Sequence, residues 1–394
     1  MSLTIGIAIA GIVGGLGWLA FEWQYRKRPG NNLELTVGQW QRTRAESDVY
    51  LLVGEMELCN RTRSLEIMVP SVKAQVKLLS DANLEKITTK VKVTPCHEDA
   101  PARVDDYWFA YIVKVGKKTK LTVSVEIKGP DLEKLKSAWI QVRYVTYGPQ
   151  GRIPKVRHIV VPLQYPEPNT IPKKRETEAA EVFPIKTHLL TSLDDPVEIV
   201  KRYVGPHALP GDIVTLGETP LALMQGRFRH PSEVKPGWVA KRICYFFLPT
   251  SSLATACGMQ TLIDIMGPVR VFGAFMVGAL AKKIFKKKGV FYQLAGEQAR
   301  LIDDVTGTLP PYDQFIVMGP ENPQEIVRQI KAETGLGAAI VDVNDLKAVK
   351  ILASTSDVSI PVIEEALRSN PAGNADEQTP LVLLRPLSNK LANK

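Results

Sequence analysis

Acidic residues follow a short buried strand near the C-terminal end of the chain. The strand is the apolar run Ala338 to Val341, and the segment 342–345, Asp-Val-Asn-Asp, comes directly after it. Ligands usually bind at the carboxyl ends of strands in an α/β layer. A hard divalent cation that keeps several waters needs one or two carboxylates plus phosphate oxygens. The pattern is therefore compatible with metal and phosphate chemistry at this strand end.

Two other polar clusters are weaker candidates for a site. Taken alone, Asp303-Asp304 fits loop or helix-cap carboxylates as readily as ligands. Residues 96–99, Cys-His-Glu-Asp, have no second ligand cluster at a suitable spacing, so a solvated loop is expected there. The four cysteines show no CxxC spacing, which indicates neither a disulfide framework nor a zinc knuckle and favours a reducing compartment.

The region around these residues, 182–368, predicts a mixed α/β domain. Asp194-Asp195-Pro196 predicts the capped start of a helix with apolar positions at Val197, Val200 and Val204. Asn322-Pro323 predicts the start of another helix, which ends at Gly335. Residues 369–394 are predicted to be a C-terminal tail, polar from 369 to 377.

From about Asn31 to Tyr165, within a predicted domain of residues 24–165, apolar and polar side chains alternate with period two. Leu121, Val123, Val125 and Ile127 point one way, as a half-buried strand requires. Several such segments, separated by turn signals, predict an antiparallel β-sandwich of roughly immunoglobulin-like build. Nothing in it indicates catalysis, so a spacer or docking role is expected. Residues 166–181, rich in proline and charge, predict a stiff linker.

The N-terminus predicts a membrane anchor. Leu3 to Phe21 carries no charge, and its 19 residues span roughly 28 Å as a helix, about the thickness of the hydrocarbon layer. The basic residues at 26–28 follow this run, which argues against the alternative of a cleaved signal peptide. We expect residues 1–23 to form one transmembrane helix, with the bulk of the chain cytoplasmic, in a plasma or thylakoid membrane.

The net charge of +9 predicts an acidic partner. No nucleic-acid motif accompanies the basic residues, so an anionic bilayer is favoured over nucleic acid. The apolar run Val271 to Ala281 is too short to span a membrane, and the basic segment 282–288 follows it. Two interpretations stay open, a buried core segment with a solvated loop or contact with the anionic leaflet. A membrane protein complex and a homodimer are further expected partners.

The α/β region also resembles a known family. The order and spacing of several short motifs carry the resemblance: Pro184-Ile185-Lys186, Gly211-Asp212-Ile213-Val214, Gln225-Gly226-Arg227, Ile302-Asp303-Asp304 ahead of Leu309-Pro310, the helix from Asn322 and the strand to Asp342. Over roughly residues 182–355 the chain is similar to the γ-glutamyl ligases that elongate the deazaflavin coenzyme F-420. The added membrane helix and β domain resemble a membrane-anchored branch associated with cyanobacteria.

The resemblance implies a ligase fold and a GTP-dependent carboxylate–amine ligase. Such an enzyme activates a carboxylate as an acyl phosphate, which the amine of glutamate attacks, and it uses Mg²⁺ or Mn²⁺. The resemblance assigns two sets of site residues. The nucleotide would contact Pro184, Ile185, Lys186, Gly217 and Glu218, and the metal would be held by Asp303, Asp342, Asn344 and Asp345.

Two departures from the family pattern leave the function open. Leu223 stands where the family has a phosphate-binding lysine, and Thr306 stands where it has an asparagine. Losing a cation beside a triphosphate removes charge stabilisation that is hard to replace. The sequence is therefore compatible with a membrane-anchored γ-glutamyl ligase-like enzyme of unnamed acceptor, or with a non-catalytic ligase-fold protein that docks or assembles a membrane complex.

Overall fold

The computed structural model describes residues 2–27, 31–46, 48–105, 107–287, 289–304, 309–343, 348–373 and 377–387. The chain divides into two compact units. The first comprises residues 1–76, 88–128 and 141–158, and the second comprises residues 77–87, 129–140 and 159–394.

The described residues of the N-terminal part form one α-helix and nine strands. They are α1 (Ser2–Lys27), β1 (Leu33–Leu35), β2 (Gln39–Glu46), β3 (Val49–Asn60), β4 (Ile67–Ser80), β5 (Thr88–Cys96), β6 (Tyr111–Val113), β7 (Lys118–Lys128), β8 (Leu135–Gly148) and β9 (Gly151–Pro162). One sheet has the order β1-β3-β7-β5, with β2 also paired to β3, and the other has the order β6-β4-β8-β9.

The core of the first unit is formed by the apolar residues that alternate along its strands. The predicted inward residues of β7, from Leu121 to Ile127, are at most 1% exposed, and β3 alternates in the same way. Leu35 in β1 joins the two sheets, because its amide hydrogen bonds to the Tyr144 hydroxyl at 3.3 Å and its carbonyl accepts from Arg157 Nε at 2.6 Å. The predicted β-sheet domain is confirmed.

Helix α1 covers the predicted membrane segment. Side chains are described from residue 11 to residue 24, and the large apolar ones among them are well exposed, including Leu16 and Phe21. Within the described chain, no single helix is long and apolar enough to cross a bilayer. Two consecutive helices, Ala256–Met266 and Pro268–Phe285, reach that length and hydropathy only together, and they are bent by 114°. The transmembrane helix stays a prediction.

The second unit is built on a six-stranded sheet of order β10-β11-β18-β12-β16-β17. Its strands are β10 (Arg175–Glu176), β11 (Ala180–Ile185), β12 (Ile213–Gly217), β16 (Gly337–Val343), β17 (Val349–Ser354) and β18 (Leu381–Pro386). Strands β12 and β16 are parallel, and β12 is antiparallel to β18. A small sheet of order β13-β15-β14 consists of β13 (Phe228–Arg229), β14 (Asp303–Asp304) and β15 (Ile316–Val317).

Nine α-helices belong to the described part of this unit. They are α2 (Pro196–Tyr203), α3 (Glu218–Met224), α4 (Trp238–Ile243), α5 (Ala256–Met266), α6 (Pro268–Phe285), α7 (Val290–Ala295), α8 (Gln298–Leu301), α9 (Pro323–Thr334) and α10 (Ile360–Leu367). Successive residues of the large sheet point to opposite faces. Helices α2 and α9 pack on one face, and α10 packs on the other. Helices α4 to α8 form a separate apolar cluster.

The predicted helix boundaries are confirmed with one local difference. Asp195 caps α2, since its carboxylate accepts from the amides of Val197 and Glu198 at 2.9 and 3.1 Å. Gly335 ends α9 with φ of 74°, a conformation that glycine adopts without strain. Asn322 precedes α9 in the left-handed region, and its side chain makes no capping bond within the described residues.

The C-terminal segment differs most from its prediction. The region predicted as a tail contains β18, which lies between β11 and β12 in the large sheet. Its residues Leu381 to Leu384 are at most 2% exposed, because they form an apolar run that both faces of the sheet bury. The predicted linker likewise contributes β10 and the start of β11 to this sheet. The proposed boundaries at 166–181 and 369–394 therefore do not coincide with structural boundaries.

Candidate metal and nucleotide site

A cavity of about 570 Å³ lies in the second unit where β12 and β16 end side by side. Residues from both strand ends line it, together with the segment 187–190 after β11, the start of α3 and the connection between α10 and β18. The lining residues are Thr187, His188, Leu189, Leu190, Thr215, Gly217, Glu218, Thr219, Pro220, Leu223, Asp303, Leu309, Tyr312, Val341, Asp342, Val343, Leu367, Asn370, Pro371, Ala372, Gly373, Gln378, Thr379, Pro380 and Val382.

Backbone bonds hold the cavity walls together. The amide of Gly217 donates to the Pro380 carbonyl at 3.0 Å, and the amide of Thr187 donates to the Gln378 carbonyl at 3.0 Å. The segment predicted as a tail is thus a wall of the cavity. Its ladder with β11 and β12 cannot be deduced from local sequence, because the partners lie more than a hundred residues away.

Three carboxyl groups from separate elements line the cavity. Glu218 is the first residue of α3, directly after β12, while Asp342 lies near the end of β16 and Asp303 lies in β14. Glu218 is only 9% exposed, and burial raises its pKa to about 8, with Asp342 and Asp303 adding like-charge repulsion. Glu218 therefore holds a proton at neutral pH in the free protein.

Asp303 has the same kind of electrostatics in a more accessible position. The residue as a whole is exposed, but protein atoms surround its carboxyl group and remove that group from water. This desolvation raises the pKa of Asp303, and repulsion from Asp342 raises it further. A hydrogen bond from Ser252 acts in the opposite direction. Like-charge repulsion among carboxyl groups is the kind of environment that a bound cation relieves.

Positive charge near these carboxyl groups is limited. Lys350 of β17 lowers the pKa of Glu218, and its ammonium also pairs with Glu297 at 3.1 Å. Among the described residues, no three histidine, cysteine or acidic side chains come close enough to hold a metal ion by themselves.

One wall of the cavity is apolar and carries a buried hydroxyl. Leu223 (7% exposed) and Tyr312 (0% exposed) belong to an apolar cluster with Phe315. The Tyr312 hydroxyl has no hydrogen-bond partner in the described structure, although burial normally requires one. Burial and the nearby Asp194 raise its pKa well above the ordinary value.

A histidine network holds another wall. The buried imidazole of His188 is hydrogen bonded through Nδ1 to the Tyr203 hydroxyl at 2.8 Å and through Nε2 to Asp194 at 3.0 Å. Asp194 also accepts from the backbone amide of Thr191 at 2.8 Å. The network fixes the loop 187–191 against α2. Sequence reasoning missed both His188 and Tyr312, since neither belongs to a local motif.

The predicted site residues divide into three groups. Gly217, Glu218, Asp303 and Asp342 meet at the cavity, as does Leu223. Pro184 and Ile185 lie in β11, where Ile185 is buried in the sheet core, and Lys186 is exposed. These three are not among the cavity-lining residues, and their predicted nucleotide contact stays a prediction. Asn344, Asp345 and Thr306 lie outside the described residues.

Comparison with solved structures gives only distant similarities. The GAE domain of yeast GGA1 is 9% identical, covers 34% of this chain and 96% of its own, and has a TM-score of 0.20. The CupB6 tip adhesin from Pseudomonas aeruginosa is 11% identical with coverage of 33% and 52% and a TM-score of 0.23. A protein from Archaeoglobus fulgidus is 9% identical with coverage of 34% and 98% and a TM-score of 0.19. These scores support no argument.

Comparison at the level of sequence is more specific. No curated protein matches the chain. Residues 34–165 match the family described as "F420-0:gamma-glutamyl ligase, N-terminal Ig-like domain". The match covers the β domain, whereas the motifs that resemble the same ligases lie in the α/β region. Over this segment, about a third of its length, the chain resembles the γ-glutamyl ligases of coenzyme F-420 through their N-terminal Ig-like domain.

Proposed function

We propose that this chain is a membrane-anchored, γ-glutamyl ligase-like protein whose second unit binds a nucleoside triphosphate with a divalent metal. The observation that carries the proposal is the convergence of Glu218, Asp303 and Asp342 at one cavity, at the carboxyl ends of two adjacent parallel strands. Strand ends of this kind are the usual ligand site of α/β sheets. The reaction class, joining a carboxylate to the amine of an amino acid with GTP, is what the motif resemblance over residues 182–355 implies. The match of residues 34–165 to the N-terminal Ig-like domain of the same ligases supports that family but not GTP use.

The residues around the cavity suit this ligand. Asp303 and Asp342 would hold Mg²⁺ or Mn²⁺, which when bound supplies positive charge to the phosphate oxygens. Leu189 and Leu223 belong to the same apolar cluster and make one wall of the cavity apolar. Glu218 carries a proton near neutral pH, which it can release to the cavity when positive charge arrives.

The exposed apolar side chains of α1 support an N-terminal anchor. Between residues 11 and 24 they include Ile12, Leu16, Leu19 and Phe21, all more than 60% exposed. A helix that is apolar and uncovered by its own protein is stable when lipid surrounds it. Protease added to intact cells should leave the rest of the chain undigested if that part is cytoplasmic, and digestion of the β domain would reject the topology.

The second candidate function is a non-catalytic docking protein with the same fold. Leu223 favours it, because the side chain lies in the cavity wall at a position where the family has a lysine. An apolar wall without that cation binds a triphosphate less tightly. The candidates differ in whether the cavity binds GTP.

Calorimetric titration of GTP and Mg²⁺ into the detergent-solubilised full chain separates the two candidates. The full chain is needed, since the second unit includes residues 77–87 and 129–140. We expect metal-dependent binding that Asp303→Asn abolishes, because a neutral oxygen replaces a charged ligand of the same shape. Asp131→Asn, at an exposed left-handed position that asparagine tolerates, is the control. No binding at millimolar GTP would reject the proposal in favour of the docking protein.

A further inference from the structure

Helix α6 is apolar on all sides and is covered on one side only. Val271 and Ala274, on its inner side, are buried, and Gly278 lies directly against Phe291 of α7. On its outer side Val269 is 85% exposed, and Phe272, Met276 and Leu280 are 40 to 56% exposed. These four lie at i, i+3, i+7 and i+11, so they form one continuous stripe. A soluble helix normally shows the reverse arrangement, with its large apolar side chains turned inward.

Aromatic side chains extend this stripe. Phe246, which is 73% exposed, lies 5.1 Å from the ring of Phe275 in α6. Trp238 and Tyr245 are exposed by 61% and 86% in the same segment. Tryptophan and tyrosine are enriched where an apolar phase meets water, since each combines a large ring with a polar tip. We call the stripe and these three exposed aromatic residues the α6 surface.

The charged residues in the two segments that form the α6 surface are all basic. Between residues 265 and 296 the chain has no acidic residue, and the same is true between 234 and 250. Lys282, Lys283, Lys286 and Lys287 are exposed at the C-terminal end of α6. Arg242 lies over the ring of Trp238 at 4.3 Å. The surface therefore combines a basic end with a broad apolar face.

We propose that the α6 surface docks on the anionic leaflet of a lipid bilayer, as a contact separate from α1. The apolar stripe would enter the boundary between headgroups and acyl chains, while the lysines meet the acidic headgroups. A second copy of this chain is a poorer occupant, because a symmetric contact uses the same surface twice and that surface offers the lysines no acidic partner. Of the two interpretations of residues 271–288 that the sequence leaves open, the exposed stripe supports the lipid contact.

The test places an environment-sensitive fluorophore on the surface. Met276→Cys is labelled in the full chain with exposed Cys96 replaced by serine, and the protein is reconstituted in vesicles of phosphatidylcholine with or without 30% phosphatidylglycerol. Acyl-chain brominated lipids should quench the probe in the anionic vesicles. Because the probe lies on α6, insertion of α1 without docking of α6 should leave it unquenched, and the cavity's ligand does not enter the measurement. A probe at Ile171→Cys, an exposed residue outside the surface, should remain unquenched.

Charge reversal completes the test. Lys282→Glu with Lys283→Glu should weaken docking by at least about 25-fold, since each lysine near an anionic surface contributes roughly fivefold. Lys114→Glu with Lys117→Glu, an equal change of net charge at exposed sites of the first unit, should leave quenching unchanged. Equal quenching of the Met276 and Ile171 probes would overturn the proposal. A disulfide between the Met276→Cys positions of two copies would also overturn it, if the disulfide forms equally in both kinds of vesicle and is lost when Phe272→Ser is added. That result would show that the α6 surface contacts a second copy.

Discussion

Asn60 in the first unit and Glu218 in the second are buried polar residues in opposite situations. In the first unit the buried Asn60 amide donates to the carbonyls of Leu65 and Val113 at 2.8 and 2.9 Å, and its oxygen accepts from Thr62. In the second unit Glu218 is buried beside two other carboxyl groups. A satisfied buried amide stabilises one conformation, whereas repelling carboxyl groups cost stability and gain it back from a cation. The difference separates a structural hydrogen-bond network from a candidate binding site.

The largest effect should come from removing the charge of Glu218. Its folded pKa of about 8 exceeds the ordinary 4.5, so the folded state holds the proton more tightly and loses stability as the pH rises from about 4.5 to 8. Glu218→Gln cannot ionise. Without ligand, the variant should exceed wild type at pH 8 by on the order of 4 kcal/mol and by little near pH 4.5.

Thermal denaturation at both pH values measures this difference. Glu364→Gln, which removes an exposed carboxylate from α10, is the control for the loss of charge. If Glu218→Gln shifts the melting temperature equally at both pH values, burial and the neighbouring carboxyl groups do not raise the pKa of Glu218.

Asn60→Leu in the first unit should act in the opposite direction. The leucine is close in size but leaves the carbonyls of Leu65 and Val113 without these donors, which should cost about 3 kcal/mol. Urea denaturation followed by circular dichroism measures the loss, and Asn83→Leu at an exposed turn is the control. A loss as small as that of the control would remove the contrast between the two units.

A smaller effect is expected for Leu223→Lys in the cavity wall. The lysine should lower stability by about 2 kcal/mol, since it places an ammonium in an apolar cluster. It should also enlarge the rise in melting temperature on adding GTP with Mg²⁺, because the new cation faces the triphosphate. Leu209→Lys, which adds the same charge at an exposed position, should change neither quantity appreciably. If no rise occurs in wild type or variant, the docking interpretation is favoured.

Local features could be predicted because neighbouring residues cause them. The alternation of β7 predicts its buried face, and Asp195 with Pro196 predicts the capped start of α2. The pairing of β18 could not be predicted in this way. Its apolar run follows a polar stretch, and its partners β11 and β12 lie far away in sequence. A short apolar strand without a local motif has no signal that separates it from a tail.

The sequence by itself pointed to the residue types at the candidate site, since Asp342 follows an apolar strand and the family resemblance assigned Glu218 and Asp303. Only the tertiary structure decided that they meet, because the parallel pairing of β12 with β16 joins residues more than a hundred positions apart. The same holds for α6. Its composition shows an apolar helix, but the small residues Ala274 and Gly278 face inward and leave the large ones exposed. Which side of a uniformly apolar helix is buried depends on its neighbours in space, and these are set by the fold.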